Sequence, residues 1–157
     1  MKKSLNKTPR LFISYHKKQR PWVKKNLVPL LEAAGGKVLI DYKESKAIKR
    51  IPGQMDALQE RADITLCLLE PTYCATEYCM HELNHALSLQ DSNHSVIPVI
   101  RRTGSISQCL GEFNAIRKVD LSDPKNDTQW QLLFDSCGLK FKMNASEWLR
   151  ERNRKKR

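Results

Sequence analysis

Several things are missing from this sequence of 157 residues. No apolar run approaches the about 20 residues that a membrane-spanning helix needs. The basic start "MKKSLNKTPR" leads only into the short apolar stretch "LFISY", so it does not read as a secretory signal. There is no CxxC pair, which excludes a zinc ribbon, and the five cysteines (Cys67, Cys74, Cys79, Cys109, Cys137) are an odd number. Cys67 lies in an apolar run and Cys79 on a helical stretch. The expectation is reduced, mostly buried thiols in a cytoplasmic protein. Internal repeats are absent, and no low-complexity linker precedes the C-terminal end.

The chain has a hydrophobic content of 40%, with three Trp, four Tyr and four Phe, which suits one globular domain with a real core. The net charge of +11 suggests nucleic acid until it is located. Residues 1–10 carry +4 and residues 139–157 carry +6, leaving +1 for everything between. The basicity therefore belongs to the ends: a basic extension over 1–9 and a basic tail or linker over 139–157. Neither a specific nucleic-acid interface nor a membrane surface is expected.

Strand and helix patterns alternate between those ends. "RLFISY" (10–15) is β-prone. Val23, Leu27, Leu30, Leu31 and Ala34 recur at helical spacing, with Pro21 suited to the first turn and Gly35-Gly36 to the stop. Pro29 should kink that helix. "KVLID" (37–41) is a second strand, residues 54–62 a short helix, and "ITLCLL" (64–69) a central strand covered on both faces. Cys79, Leu83, Ala86, Leu87 and Gln90 mark the buried edge of a helix over about 76–90. "SVIPVI" (95–100) is a fourth strand, placed near an edge or strand end by Pro98. "RKVDL" (117–121) is a weaker fifth, and "TQWQLLFDSCG" (128–138) a last helix. The pattern predicts an α/β fold with an open parallel sheet over residues 10–138.

The stretch "YCMHELNHAL" contains His81-Glu82-Leu83-Asn84-His85, an HExxH pattern that in zinc proteases supplies two ligands and a general base. The continuation is missing. Ser88 stands where the long form of the motif needs Gly, leaving Asp91 as a poor third ligand. Composition alone produces the pattern in roughly one chain in two hundred of this kind. A metal hydrolase is thus a remote alternative.

Open parallel sheets bind ligands beyond the carboxyl ends of their strands, where strand order reverses. Ser14, Tyr15 and His16 should lie there after the first strand, and Asp41 and Tyr42 after the second. On the following helix Tyr78 and Glu82 are one turn apart, with His85 three residues on, so the three share a flank. Glu82 then sits at the border of core and cleft, partly desolvated.

The segments "LFISY", "VLIDYKE", "IPG", "DITLCLLEPTY" and "ATEYCMHELNHAL" occur in the order and approximate spacing of a Toll/interleukin receptor (TIR) domain, which residues 10 to about 138 resemble. "TEYCMHEL" is similar to the Ser-x-Trp-Cys-x-x-Glu segment of bacterial and plant members. Thr76 stands for the Ser and Tyr78 for the Trp; Met55 falls where some members have an aromatic. The resemblance implies a flavodoxin-like open sheet of five parallel strands with helices on both faces. It also implies cleavage of NAD at the nicotinamide–ribose bond, with Glu82 catalytic. Ser14, Tyr15, Asp41, Gly53, Met55, Thr76 and Tyr78 would contact the substrate. NAD would be substrate rather than cofactor, and no metal is called for. Homotypic TIR–TIR assembly, an effector role in bacterial antiviral immunity, and a further domain or partner beyond the C-terminus fit the same picture. The alternative within the family is a non-catalytic adaptor acting by assembly. Where many members have an acidic or Ser-rich stretch after the first motif, this chain has "HKKQRP"; its loop over 42–53 is basic, with Lys43, Lys46, Lys49 and Arg50.

Overall fold

The computed structural model describes residues 8–43, 52–90, 93–111 and 118–155. In chain order its elements are β1 (Arg10–Ser14), a 3-10 turn (Lys17–Gln19), α1 (Arg20–Trp22), a π turn (Val23–Leu27) and α2 (Val28–Ala33). Then come β2 (Lys37–Leu39), a 3-10 turn (Asp41–Lys43), α3 (Pro52–Glu60), β3 (Ile64–Leu69), α4 (Pro71–Cys74) and α5 (Glu77–Ser88). The chain continues through β4 (Ser95–Ile100), α6 (Ser107–Gly111), β5 (Val119–Asp120), α7 (Asp127–Ser136) and α8 (Ala145–Lys155). The strands form one sheet in the order β2-β1-β3-β4-β5, all parallel. The alternation predicts the open parallel sheet and the resemblance its flavodoxin-like form; the strand order reverses between β1 and β3.

Strand alternation divides the core. Leu11, Ile13, Ile64, Leu66 and Leu68 face α2 and α7 in one cluster with Val23, Leu30, Trp130 and Phe134. Cys67 and Leu69 face α5, packed on Tyr73, Cys79, Leu83 and Ala86. Phe12 faces α3, against Met55 and Leu58. β3 is buried along its whole length because both its faces are covered, which explains its unbroken apolar run.

Pro29 does not break its helix. The preceding turn widens to π geometry, with the Val28 N–H donating to Val23 O, five residues back. A widened turn relieves the clash that a proline ring makes with the previous turn and absorbs its missing donor. Pro98 departs from expectation, since β4 is an interior strand and Pro98 lies opposite Cys67 of β3. The Ser95 and Arg101 N–H groups donate to Asp63 O and Leu69 O beside β3, so odd-numbered N–H groups point that way. Position 98 points to the other side, where pairing with β5 begins only at Val99. The proline therefore costs no ladder bond.

Two further expectations are overturned. The chain end is not a tail. Leu139, Ala145 and Leu149 join the main core, and α8 is tied to α7 by the Ser146 N–H and hydroxyl, each 2.8 Å from the Asp127 carboxylate. A chain of ring contacts runs from Trp22 through Trp130, Phe134 and Phe141 to Trp148. Net charge over 139–157 hid this, because charges occupy the outer face of α8 while the apolar residues recur at helical spacing. Nor are all the thiols reduced: Cys74 and Cys109 form a disulfide between α4 and α6, their Cα atoms 5.8 Å apart, and Cys67, Cys79 and Cys137 are free and buried. No helix among the described residues is long and apolar enough to cross a membrane.

The stop after α2 works as expected. Gly35 adopts φ +99° and the Gly36 N–H donates to Leu31 O. A Cβ on Gly36 would come within 2.9 Å of Leu11 Cδ1 and 3.2 Å of Leu31 O. Gly36→Ala should therefore lower stability by about 1–3 kcal/mol through overpacking. Urea denaturation checks this; an unchanged midpoint would show that Leu11 yields.

Candidate active site

Ser14 ends β1 directly beside Cys67 of β3, at the point where strand order reverses. Its side chain, fully buried, points to the α5 face, as Phe12 two residues earlier points to the α3 side. There its hydroxyl donates to Glu82 Oε1 at 2.6 Å. The Tyr73 phenol oxygen is 2.8 Å from Ser14 Oγ. A serine hydroxyl has one proton, and Glu82 receives it, so Tyr73 is the donor to Ser14. Glu82 is only 2% exposed. The helix α5 turns it inward because Cys79, Leu83 and Ala86 are its buried stripe and Glu82 lies within the same arc.

The surroundings of this carboxylate are dry. Burial, then the nearby Cys67 and Glu82, hold the Tyr73 phenol well above the usual tyrosine range. Burial likewise pushes the Cys67 thiol up to about 12, so it stays a neutral thiol. Behind Glu82, the buried Gln59 amide donates to Glu82 O at 3.1 Å and to Thr65 Oγ1 at 3.2 Å. Thr65 Oγ1 meets His94 Nε2 at 2.6 Å, and His94 Nδ1 meets Ala62 O at 3.0 Å. A neutral His94 protonated on Nδ1 satisfies both contacts. This network pins the middle of α5 to α3 and β3.

Tyr15 and Asp41, expected beside Ser14, lie on the opposite face of the sheet. The Tyr15 hydroxyl donates to Asp41 Oδ1 at 2.7 Å, and Arg20 donates to Tyr15 OH at 3.1 Å and Asp41 Oδ2 at 3.0 Å. Asp41 also accepts from the Tyr42 N–H at 2.8 Å, closing its own turn. Burial and the hydrogen bond to Asp41 raise the Tyr15 pKa far above its ordinary value; burial pushes Tyr42 up to about 12. Asp41 acts here as the centre of a corner that ties β1 to β2. The expected single set of Ser14, Tyr15 and Asp41 is thus split by the one-residue alternation between positions 14 and 15.

The remaining expected residues are scattered around Glu82. Met55 is 2% exposed and packs with Phe12, Leu39 and Leu58; Tyr78 lies partly buried on the rim of that cluster. Gly53 belongs to the first turn of α3, which starts earlier than expected; loop residues 44–51 lie outside the described residues. Thr76 begins α5, but its hydroxyl turns back to Thr72 O at 2.6 Å instead of capping the helix. His16 Nδ1 caps the turn after β1 by accepting from the Lys18 N–H. Tyr73, Gln59, Thr65 and Arg20 were not legible as site residues. Only the Pro71 start signal after β3 hinted that a turn of helix would carry Tyr73.

The two histidines of the HExxH pattern meet carboxylates of α3. His81 Nε2 is 3.0 Å from Asp56 Oδ1, and His85 Nε2 is 3.0 Å from Glu60 Oε2, both across the seam with α3. Their rings stack 6.3 Å apart at 4°. Of the expected flank of Tyr78, Glu82 and His85, His85 is drawn to Glu60 of α3. Asp91 lies outside the described residues. Among the described residues, no group of three or more His, Cys, Asp or Glu side chains is arranged to hold a metal ion. The surface hollows of about 510 and 330 Å³ lie against α7 and α8, across the sheet from Glu82.

A doubly wound parallel domain with a carboxylate buried at its reversal point defines the class. A family model described as "TIR domain" matches residues 11–134, so the chain belongs to the TIR domain family. Among solved structures it is similar to the TIR domain of the Toll-related receptor TRR-2 from Hydra magnipapillata. That match has a TM-score of 0.69 and 23% identity, covering 83% of this chain and 98% of the other. It is also similar to the TIR domains of the activated Roq1 resistosome that directly recognises the pathogen effector XopQ. There the TM-score is 0.61 at 20% identity, with 82% and 99% covered. A search of curated proteins found no match. The α8 helix lies beyond the segment matched by the family model.

Because His81 and His85 are each committed to a carboxylate of α3, purified protein should contain far less than stoichiometric zinc. His81→Ala with His85→Ala should leave that content unchanged. Stoichiometric zinc by atomic emission, lost with both histidines, would restore the metal-hydrolase reading.

Proposed function

We propose that this TIR domain cleaves NAD at the nicotinamide–ribose bond, with Glu82 as the catalytic carboxylate. The observation that carries the reading is the Glu82 side chain held by a 2.6 Å bond from Ser14 at the switch point of the sheet. Breaking an N-glycosidic bond builds positive oxocarbenium character on the ribose, and a carboxylate in dry surroundings stabilises or captures it strongly. The nicotinamide of NAD is already cationic and leaves as a neutral ring, so no strong general acid is required. Ser14 orients the carboxylate, and Tyr73 orients Ser14. Tyr78, partly buried one turn before Glu82, offers a flat wall for a ring.

A substrate must reach a side chain that is 2% exposed, so Glu82 has to be uncovered before chemistry. Assembly is the route we favour. The Roq1 neighbour is an activated resistosome, and self-association of this chain is the event that would open the site. The chain would then be an effector of immunity, silent until gathered. Its product, linear or cyclic, depends on which acceptor reaches the ribose.

The second reading is a non-catalytic adaptor, favoured by the same burial: Glu82 would simply anchor α5 to β1. Glu82→Gln separates the two. Losing the charge should reduce NAD turnover by about 10²–10³-fold, as for a lost electrostatic contact of ~3–4 kcal/mol, while circular dichroism stays unchanged. Retention of about a tenth or more of wild-type turnover, a loss of only ~1.4 kcal/mol, would favour the adaptor.

Assembly has its own test. Specific activity should rise with protein concentration across a roughly hundredfold series, in step with mass by light scattering. A dilute monomer with full, constant specific activity would rule out a site completed by association.

A further inference from the structure

Cys67, Cys74, Cys79 and Cys109 share one cluster with Tyr73, Met80 and Leu83, on the face of the sheet that buries Glu82. Cys67 and Cys79 are deeply buried and free, whereas Cys74 is half-buried and bonded to Cys109. Cys74 is thus the more exposed end of the disulfide, since Cys109 is fully buried. It sits next to Tyr73 in the four-residue helix α4, and Tyr73 holds Ser14, which holds Glu82. The bond fastens that short helix to α6, itself five residues long, and closes a loop of 35 residues that contains the whole of α5 and β4. Two elements this short have few hydrogen bonds of their own, so the cross-link does much to hold them together.

A reduced state is also provided for. Cys109 Sγ lies 3.6 Å from Met80 Sδ, so a Cys109 thiol has a soft acceptor on α5 in place, two residues before Glu82.

We propose that the Cys74–Cys109 disulfide is a reversible modification site that gates Glu82. Oxidised, it fixes α4 so that Tyr73 stays on Ser14 and closes over the carboxylate; reduced by a small thiol of the glutathione class, it frees α4, draws Tyr73 away and exposes Glu82 to substrate. The exchange balances. A thiolate attacks the half-buried Cys74 sulfur, forming a mixed disulfide; the Cys74–Cys109 bond breaks and Cys109 leaves as a thiolate that takes a proton. A second thiolate attacks the outer sulfur of the mixed disulfide, releasing Cys74 as a thiol and the small molecule as its disulfide. Two electrons pass to the protein, and the small-molecule disulfide reverses the sequence.

The gate rests on the proposed role of Glu82 for its consequence, but it has a readout of its own. Wild-type protein, equilibrated with oxidised or reduced glutathione and then alkylated, is treated with a carbodiimide and an amine. Mass spectrometry reads amide formation at Glu82 and the state of Cys74 and Cys109. A closed form that opens in roughly one molecule in ten should show about a tenfold rise in Glu82 labelling on reduction, with NAD cleavage rising in parallel. The Cys74→Ser, Cys109→Ser double variant should label like the reduced wild type in either buffer. Equal labelling of the two wild-type forms, or failure of oxidised glutathione to re-form the bond, overturns the gate. A redox-dependent rise in labelling without any NAD cleavage supports the gate and overturns the enzymatic reading instead.

Discussion

A carboxylate removed from water is costly unless a donor meets it, and the bond from Ser14 Oγ to Glu82 Oε1 meets that cost at the centre of this fold. Much else follows from it. The last residue of β1 must face α5, which requires the alternation that also buries Phe12 on that side. Strand β3 must lie directly beside β1, as the order β2-β1-β3 provides. A turn of helix must follow β3 at once, so that Tyr73 reaches Ser14, and Glu70 starts that turn by accepting from the Thr72 N–H. Gln59 then holds the backbone of α5 from behind. Each of these parts is ordinary; together they fix both the side chain and the backbone of Glu82.

The same corner carries a second polar cluster on the other face of the sheet. Tyr15, Arg20 and Asp41 close on one another, and the tyrosine stays neutral because burial and the adjacent carboxylate both disfavour its anion. Ser14 and Tyr15 are neighbours in sequence and strangers in space. One cluster holds the buried carboxylate of Glu82 and the other joins two strands. The β1 end is therefore held from both sides, which limits how far Ser14 can stray from Glu82.

The HExxH pattern shows how a motif separates into unrelated parts once a helix is placed. Residues 81 and 85 are one turn apart and share the seam with α3, where each finds a carboxylate. Residue 82 is rotated about 100° from residue 81 on the helix and enters the core. A zinc protease needs the two histidines on one ion and the glutamate on its bound water, whereas here the histidines meet carboxylates of α3 and Glu82 meets Ser14.

Periodicity along the chain was enough for the strands, most of the helices, the parallel α/β class and the placing of Glu82 against the core. Those features depend on local spacing: an unbroken apolar run at 64–69, a helical stripe through Cys79, Leu83 and Ala86, and a glycine stop after α2. What spacing could not supply was the pairing of distant residues. Pro98 in an interior strand depends on where β5 happens to begin; the helix α8 depends on Phe141, whose ring contacts both Phe134 of α7 and Trp148; Cys74 finds Cys109 only because β4 returns the chain beside α4. The partners of Glu82 belong to the same class, since Ser14 is 68 residues away in sequence and reaches it by the register of β1 on β3. Local pattern is written by one element's own burial, whereas a polar contact between elements is settled by how several such elements stack, and that is a property of the packed sheet rather than of any segment in it.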